Sequence, residues 1–217
     1  MGSSLSRTEL AQYVVRQYEN LFPDGRNSGD LSNIVGAALD RTLNCFNSVR
    51  QKYYWENDHA IFNHLNADHY AVFLYFLGNS AHKAGNVEAA NKAYLLNKAL
   101  HNVDIFYEIE LPSIFVLQHP VGTVLGRAVY SDYLFVYQGC LVGAGLDGDI
   151  PRFDGPCAMF GGSKIVGSCE VGANCWISLG ATVVDAKIAS NSVVRGSSPD
   201  LVVVPTQRDV RNIMFGA

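Results

Sequence analysis

The stretch MFGGSKIVGSCEVGANCWISLGATVVDAKIASNSV, residues 159–193, decides the fold. It divides into the six-residue units MFGGSK, IVGSCE, VGANCW, ISLGAT and IASNSV, with one unit, VVDAK, a residue short. Each unit opens on an apolar side chain: Met159, Ile165, Val171, Ile177, Val183 and Ile188. Glycine, asparagine and serine fall between them, where corners need small side chains or ones that tolerate left-handed backbone. This period predicts a triangular parallel β-helix, in which each short side points one aliphatic inward and each coil buries its inner face against its neighbours. Cys157 and Cys175 lie eighteen residues apart, so the same period predicts that they stack on adjacent coils.

Upstream the period is different. Residues 7 to about 101 carry apolar positions at helical spacing. TELAQYVVRQYENLF aligns Leu10, Tyr13, Val14, Tyr18 and Leu21, and Pro23, Gly25 and Gly29 then break the pattern. A second stripe runs through Leu31, Ile34, Val35, Ala38, Leu39 and Phe46. DHYAVFLYFLGNSAHKAG and NVEAANKAYLLNKALHN predict two more helices, with Gly85 as the stop between them and Tyr70, Phe73, Leu74 and Leu77 as bundle core. The opening MGSSLS fits a myristoylation pattern at Gly2, but Ser6 with Glu9 three residues on is also a helix capping box, and that reading is adopted. The expected division is a helical domain over 1–101, a β-helix over 102–196 and a C-terminal tail over 197–217 that covers the end of the solenoid or a neighbour.

Composition narrows the function classes. A net charge of −4, with no basic patch interleaved with aromatics, argues against a nucleic-acid partner. The longest apolar stretch, AVFLYFLG at 71–78, is too short to span a bilayer, and the N-terminus has no apolar signal core. A cytoplasmic protein without a membrane partner is expected. Five cysteines without a C-x-x-C pair predict neither a disulfide framework nor a metal site.

The second telling stretch is VLQHPVGTVLGRAVYSD, residues 116–132. Its His119 is the last of six histidines, the others being His59, His64, His69, His82 and His101. It is therefore the one imidazole available to acid–base chemistry in the glycine-rich half. A turn-capping histidine before Pro120 is the structural alternative.

Over roughly residues 60–196 the chain resembles the hexapeptide-repeat acyltransferases, and among them the serine O-acetyltransferases. The resemblance implies a left-handed β-helix preceded by helices, trimers that pair into hexamers through the helical domains, and active sites between neighbouring β-helices. In that family VDI is followed fifteen residues later by a histidine in DHATG; here NVDIF supplies Asp104 and QHPVG supplies His119 at the same spacing. The resemblance thus implies that His119 is the general base and Asp104 its orienting partner. The chemistry is consistent with those roles, because a neutral alcohol attacking the thioester of acetyl-CoA needs its proton removed, and a carboxylate on the other ring nitrogen would fix the tautomer. No metal is implied.

Other segments depart from the family. Its DRHPK, whose arginine and histidine contact the substrate carboxylate, is replaced by GDIPRFDG, with Asp149 and Ile150 at those positions and Arg152 nearby. Its RDPAVDKY is replaced by HLNADHY, so that His64 and Asp68 stand on the acceptor side, and Gln118 precedes the histidine where the family has aspartate. On the donor side, QGCLVGAG resembles QGVTLGG, and Gly143, Gly145, Gly161 and Gly162 are the candidates for close approach to coenzyme A, with Lys164, Lys187 and Arg195 for its phosphates. The expected activity is O-acetyl transfer to a small-molecule acceptor, an amino acid such as L-serine. The alternatives are a sugar or amino-sugar acceptor in surface-polysaccharide biosynthesis, and a non-catalytic trimeric scaffold.

Overall fold

The computed structural model describes residues 2–216. Four helices come first: α1 (Arg7–Leu21), α2 (Ser32–Phe46), α3 (Ala67–Lys83) and α4 (Val87–His101). A small antiparallel hairpin, β1 (Trp55–Glu56) and β2 (His59–Ala60), lies between α2 and α3. The capping box at α1 is formed, since Ser6 Oγ accepts the Glu9 N–H and Glu9 Oε2 accepts the Ser6 N–H. Gly85 follows α3 with φ +76, a left-handed stop that a Cβ would penalise. The predicted stripe on α3 understates its burial. From His69 to Leu77 every residue is buried, because α3 packs between α2 and α4 and also lies on the first coil of the solenoid.

Asn102, in left-handed backbone, ends α4 and turns the chain into a parallel β-solenoid of about four turns. Its strands run β3 (Phe115–Leu117) and β4 (Val124–Leu125); β5 (Leu134–Val136), β6 (Leu141–Gly143) and β7 (Arg152–Phe153); β8 (Cys157–Met159), β9 (Lys164–Val166) and β10 (Glu170–Val171); β11 (Cys175–Ile177), β12 (Thr182–Val184) and β13 (Lys187–Ile188); and β14 (Ser192–Arg195). They stack into three parallel sheets, one per side of the triangle: β3-β5-β8-β11-β14, β4-β6-β9-β12 and β7-β10-β13.

The hexad reading is met in detail. Met159, Ile165, Val171, Ile177 and Val183 are fully buried and Ile188 nearly so. Cys157 pairs in register with Cys175, and all five cysteines are buried free thiols. Cys175 then pairs with Ser192, seventeen residues on, so the short unit VVDAK removes one residue from a corner without shifting the inward face. The gap from Leu134 to its partner Cys157 is longer, and the extra chain forms a loop, 144–151, between β6 and β7.

The tail does more than close the end. β15 (Val202–Pro205) pairs antiparallel with β14, and the chain then descends along the outside of the first sheet to a π-helical turn, Arg211–Phe215. There Phe215 meets Tyr133 and Phe135 edge-on at 5.2 and 5.8 Å, and its carbonyl accepts the Arg50 N–H from the helical region. Trp176 donates to the Arg208 carbonyl on the way. The outward residues Val116, Phe135, Ala158 and Trp176 are consequently buried under helix α3 and the tail instead of facing water.

Candidate active site

His119 lies at the corner that follows β3. It has left-handed backbone, φ +49, unusual for a residue with a Cβ, and Gly122 three residues on is also left-handed. Below Gly122, left-handed Gly139, Gly162 and Gly180 occupy the same corner on successive coils. A Cβ built on Gly122, Gly139 or Gly162 would come within 3.7–4.0 Å of the Cα of the next. The corner is therefore a narrow column of bare backbone, with His119 projecting at its first coil. Its side chain is 73 % exposed.

The helical region supplies the contact that holds it. Asn66 caps α3 by accepting the Asp68 and His69 N–H groups, which sets Asp68 in the first turn beside the His119 corner. Asp68 Oδ1 accepts the His119 backbone N–H at 3.0 Å, and Oδ2 lies 4.0 Å from His119 Nδ1. Gln118 Nε2 donates to Asp68 Oδ2 at 3.2 Å and lies 3.2 Å from His119 Nε2. An ionised carboxylate only accepts, so Gln118 must turn its NH₂ toward Asp68, and the same NH₂ then meets Nε2. Nε2 is thereby an acceptor. The ring proton belongs on Nδ1, facing Asp68. Burial pushes the Asp68 carboxyl above its usual range, opposed by the His119 N–H and the His119 ring.

Asp104 is engaged elsewhere. Its Oδ1 accepts from the Tyr94 hydroxyl and its Oδ2 from Lys98 Nζ, both at 2.8 Å, and no hydrogen bond joins it to His119 among the described residues. Burial pushes the Asp104 carboxyl up, but the Lys98 and Tyr94 hydrogen bonds outweigh it and hold the group below the usual carboxylate range. The carboxylate beside His119 in this chain is Asp68, against the expectation that Asp104 would be.

The other expected site residues are dispersed. His64 is tied to the N-terminal segment, its Nδ1 2.9 Å from Ser4 Oγ and its ring edge-on to Tyr13. Arg152 sits on β7, a different side of the triangle, paired with Asp154. Lys187, on β13, pairs with Glu170, and Lys164 is exposed on β9. Gly161 lies at the His119 corner on a lower coil, covered by Gln138, whereas Gly143 and Gly145 belong to the next corner, where Gly145 closely approaches Gly167. Among the described residues, no three His, Cys, Asp or Glu side chains are grouped to hold a metal ion, and no helix is long and apolar enough to cross a membrane.

Sequence reading missed Tyr94 and Lys98. Lys98 is four residues after Tyr94 on α4, so the two share a face that ends at the Asn102 turn, which folds Asp104 back onto it. That turn was visible only as a change of period.

No protein-family model and no curated protein sequence matches the chain. Solved structures do. It superposes on serine acetyltransferase from Vibrio cholerae with a TM-score of 0.64 at 18% identity, covering 95% of this chain and 75% of that one. For the serine acetyltransferase of Neisseria gonorrhoeae the TM-score is 0.63 at 16% identity, over 94% and 91% of the two chains. For that of Brucella abortus in complex with coenzyme A it is 0.60 at 16% identity, over 93% and 76%. At these identities the likeness is one of architecture: the chain has the fold of the serine acetyltransferases, helices followed by a hexapeptide-repeat β-solenoid.

Proposed function

We propose that the chain is an acetyl-CoA-dependent O-acetyltransferase that transfers acetyl directly to a hydroxyl, with His119 as general base. One observation carries the reading: an exposed imidazole at a coil corner, with a carboxylate 4.0 Å from Nδ1 and the Gln118 amide 3.2 Å from Nε2. Nε2 takes the hydroxyl proton as the oxygen attacks the thioester carbonyl carbon. The C–S bond breaks, the acetyl group ends on the acceptor oxygen, and the imidazolium returns the proton to the leaving thiolate. Gln118 must swing off Nε2 for the hydroxyl to take its place.

The coenzyme A bound to a structural neighbour supports acetyl-CoA as donor. In this reading Gly162, in the glycine column, and Gly161 beside it line the path of the thioester arm, and Lys164 and Lys187 serve its phosphates. Gln118 and Asp68 lie on the acceptor side, and His64 and Arg152 belong to the acceptor wall only if a second copy or the 144–151 loop brings them in. The openness of the corner supports a site completed by a neighbouring copy; the reading takes the chain as a cytoplasmic homotrimer whose β-helix, residues 102–196, carries the base. Asp149 and Ile150, where serine acetyltransferases carry cations, favour a second reading in which the acceptor is a sugar or amino sugar.

Thiol release from acetyl-CoA is the test, with L-serine, L-homoserine and a panel of sugars and amino sugars as acceptors. His119→Ala is expected to lose about 10²–10⁴-fold of acceptor-dependent release. Unchanged turnover in that variant would overturn the assignment, and a sugar as the one active acceptor would decide for the second reading.

A further inference from the structure

We infer that Asp68, reaching over from the helical region, is the carboxylate that orients His119, and that Asp104 ties α4 to the first coil instead. This rests on His119 being the base.

The argument is one of proximity and charge. Each Asp104 oxygen accepts a donor from α4, and one of these is the Lys98 ammonium, which neutralises the charge an imidazolium would use. Asp68 has no such cation among the described residues. Its Oδ1 accepts the His119 backbone N–H, which fixes where the residue sits, and its Oδ2, which accepts from Gln118, lies 4.0 Å from Nδ1. At 4.0 Å the Nδ1 contact is an ion-pair distance, and catalytic hydrogen bonds are often this long before substrate binds and tighten in its complex.

Burial separates the two carboxylates as well. The Asp68 side chain is 14 % exposed and that of Asp104 39 %, so a charge on the ring is felt more strongly by Asp68. Gln118 completes the device. Its NH₂ bridges Asp68 to Nε2, so the pair holds the ring from both sides until an acceptor hydroxyl displaces the amide. The helical region is thereby part of the catalytic apparatus, supplying a positioning residue from fifty-one residues upstream.

The test is the tautomer of His119, read from the imidazole ¹⁵N shifts of labelled protein at about pH 8, where an ordinary histidine is neutral. Wild type is expected to show the proton on Nδ1, and an Nε2–H ring in wild type alone would overturn the inference without any variant. Asp68→Asn should shift the ring toward Nε2–H and lower thiol release by about 10²-fold or more, as expected for the wrong tautomer. Asp104→Asn should leave the tautomer as in wild type. The reverse pattern, with the tautomer moved by Asp104→Asn and not by Asp68→Asn, restores Asp104 to the role and refutes ours. The spectra need no acceptor, so they separate this inference from the proposed function: full activity in His119→Ala ends the latter, whereas the ring's partner is read from the shifts.

Discussion

His69 offers the sharpest test of the helical core. It is fully buried in α3, among the rings of Phe46 at 4.8 Å, Tyr54 at 4.6 Å and Phe62 at 6.5 Å. Nδ1 accepts the Asn63 N–H at 3.2 Å, so the ring proton sits on Nε2, which has no hydrogen-bond partner among the described residues. Burial holds the group down to about 4, opposed by the nearby Tyr53 carbonyl, which approaches without good hydrogen-bond geometry. An unfolded histidine titrates near 6.5. Between those values the unfolded chain binds the proton and the folded one does not, so stability is complete above about 6.5 and drains away as the pH falls toward 4. By linkage, the loss from this residue between about pH 7.5 and about pH 5 is roughly 2 kcal/mol.

The perturbation is His69→Phe, which suits the aromatic box and removes the titration. It leaves the Asn63 N–H without its acceptor, so the variant should be less stable by about 1 kcal/mol near neutral pH. Urea unfolding at both pH values and one protein concentration gives the loss for each protein. Burial likewise holds His101 down to about 4, and it contributes equally to both proteins, so the difference isolates His69. Wild type should lose roughly 2 kcal/mol more than the variant on acidification. Equal losses would refute the reasoning, because the ring would then gain its proton as easily in the folded protein as in the unfolded chain.

Two further predictions concern the solenoid. Gly167 has φ +81, and a Cβ there would run into the Asp185 carboxylate, which accepts the Ser168 N–H at 2.8 Å; Gly167→Ala should cost about 2 kcal/mol or more, seen as a lowered thermal midpoint, and a neutral effect would mean that this corner yields. Phe215 is fully buried against Tyr133 and Phe135, so Phe215→Ala should cost about 3–5 kcal/mol in urea unfolding, whereas a loss below about 1 kcal/mol would make the tail a passive cover.

Much of the architecture was legible residue by residue. The inward column from Met159 to Ile188, the one-residue shortening at VVDAK and the Ser6–Glu9 cap are local patterns, and local backbone preference with single-face burial is enough to impose them. The histidine worth testing was legible too, because it stands alone in its half of the chain. Its partner was not. The family resemblance pointed to Asp104, but the Asn102 turn delivers Asp104 to Lys98 and Tyr94, while the docking of α3 on the first coil brings Asp68 to His119 across fifty-one residues. The tail was equally opaque, since nothing in RNIMF says that Phe215 will cover Phe135. Periodicity reports which face of an element is buried. Which side chain meets which across two elements depends on how their faces pack, and that is decided only when the helices settle on the coil.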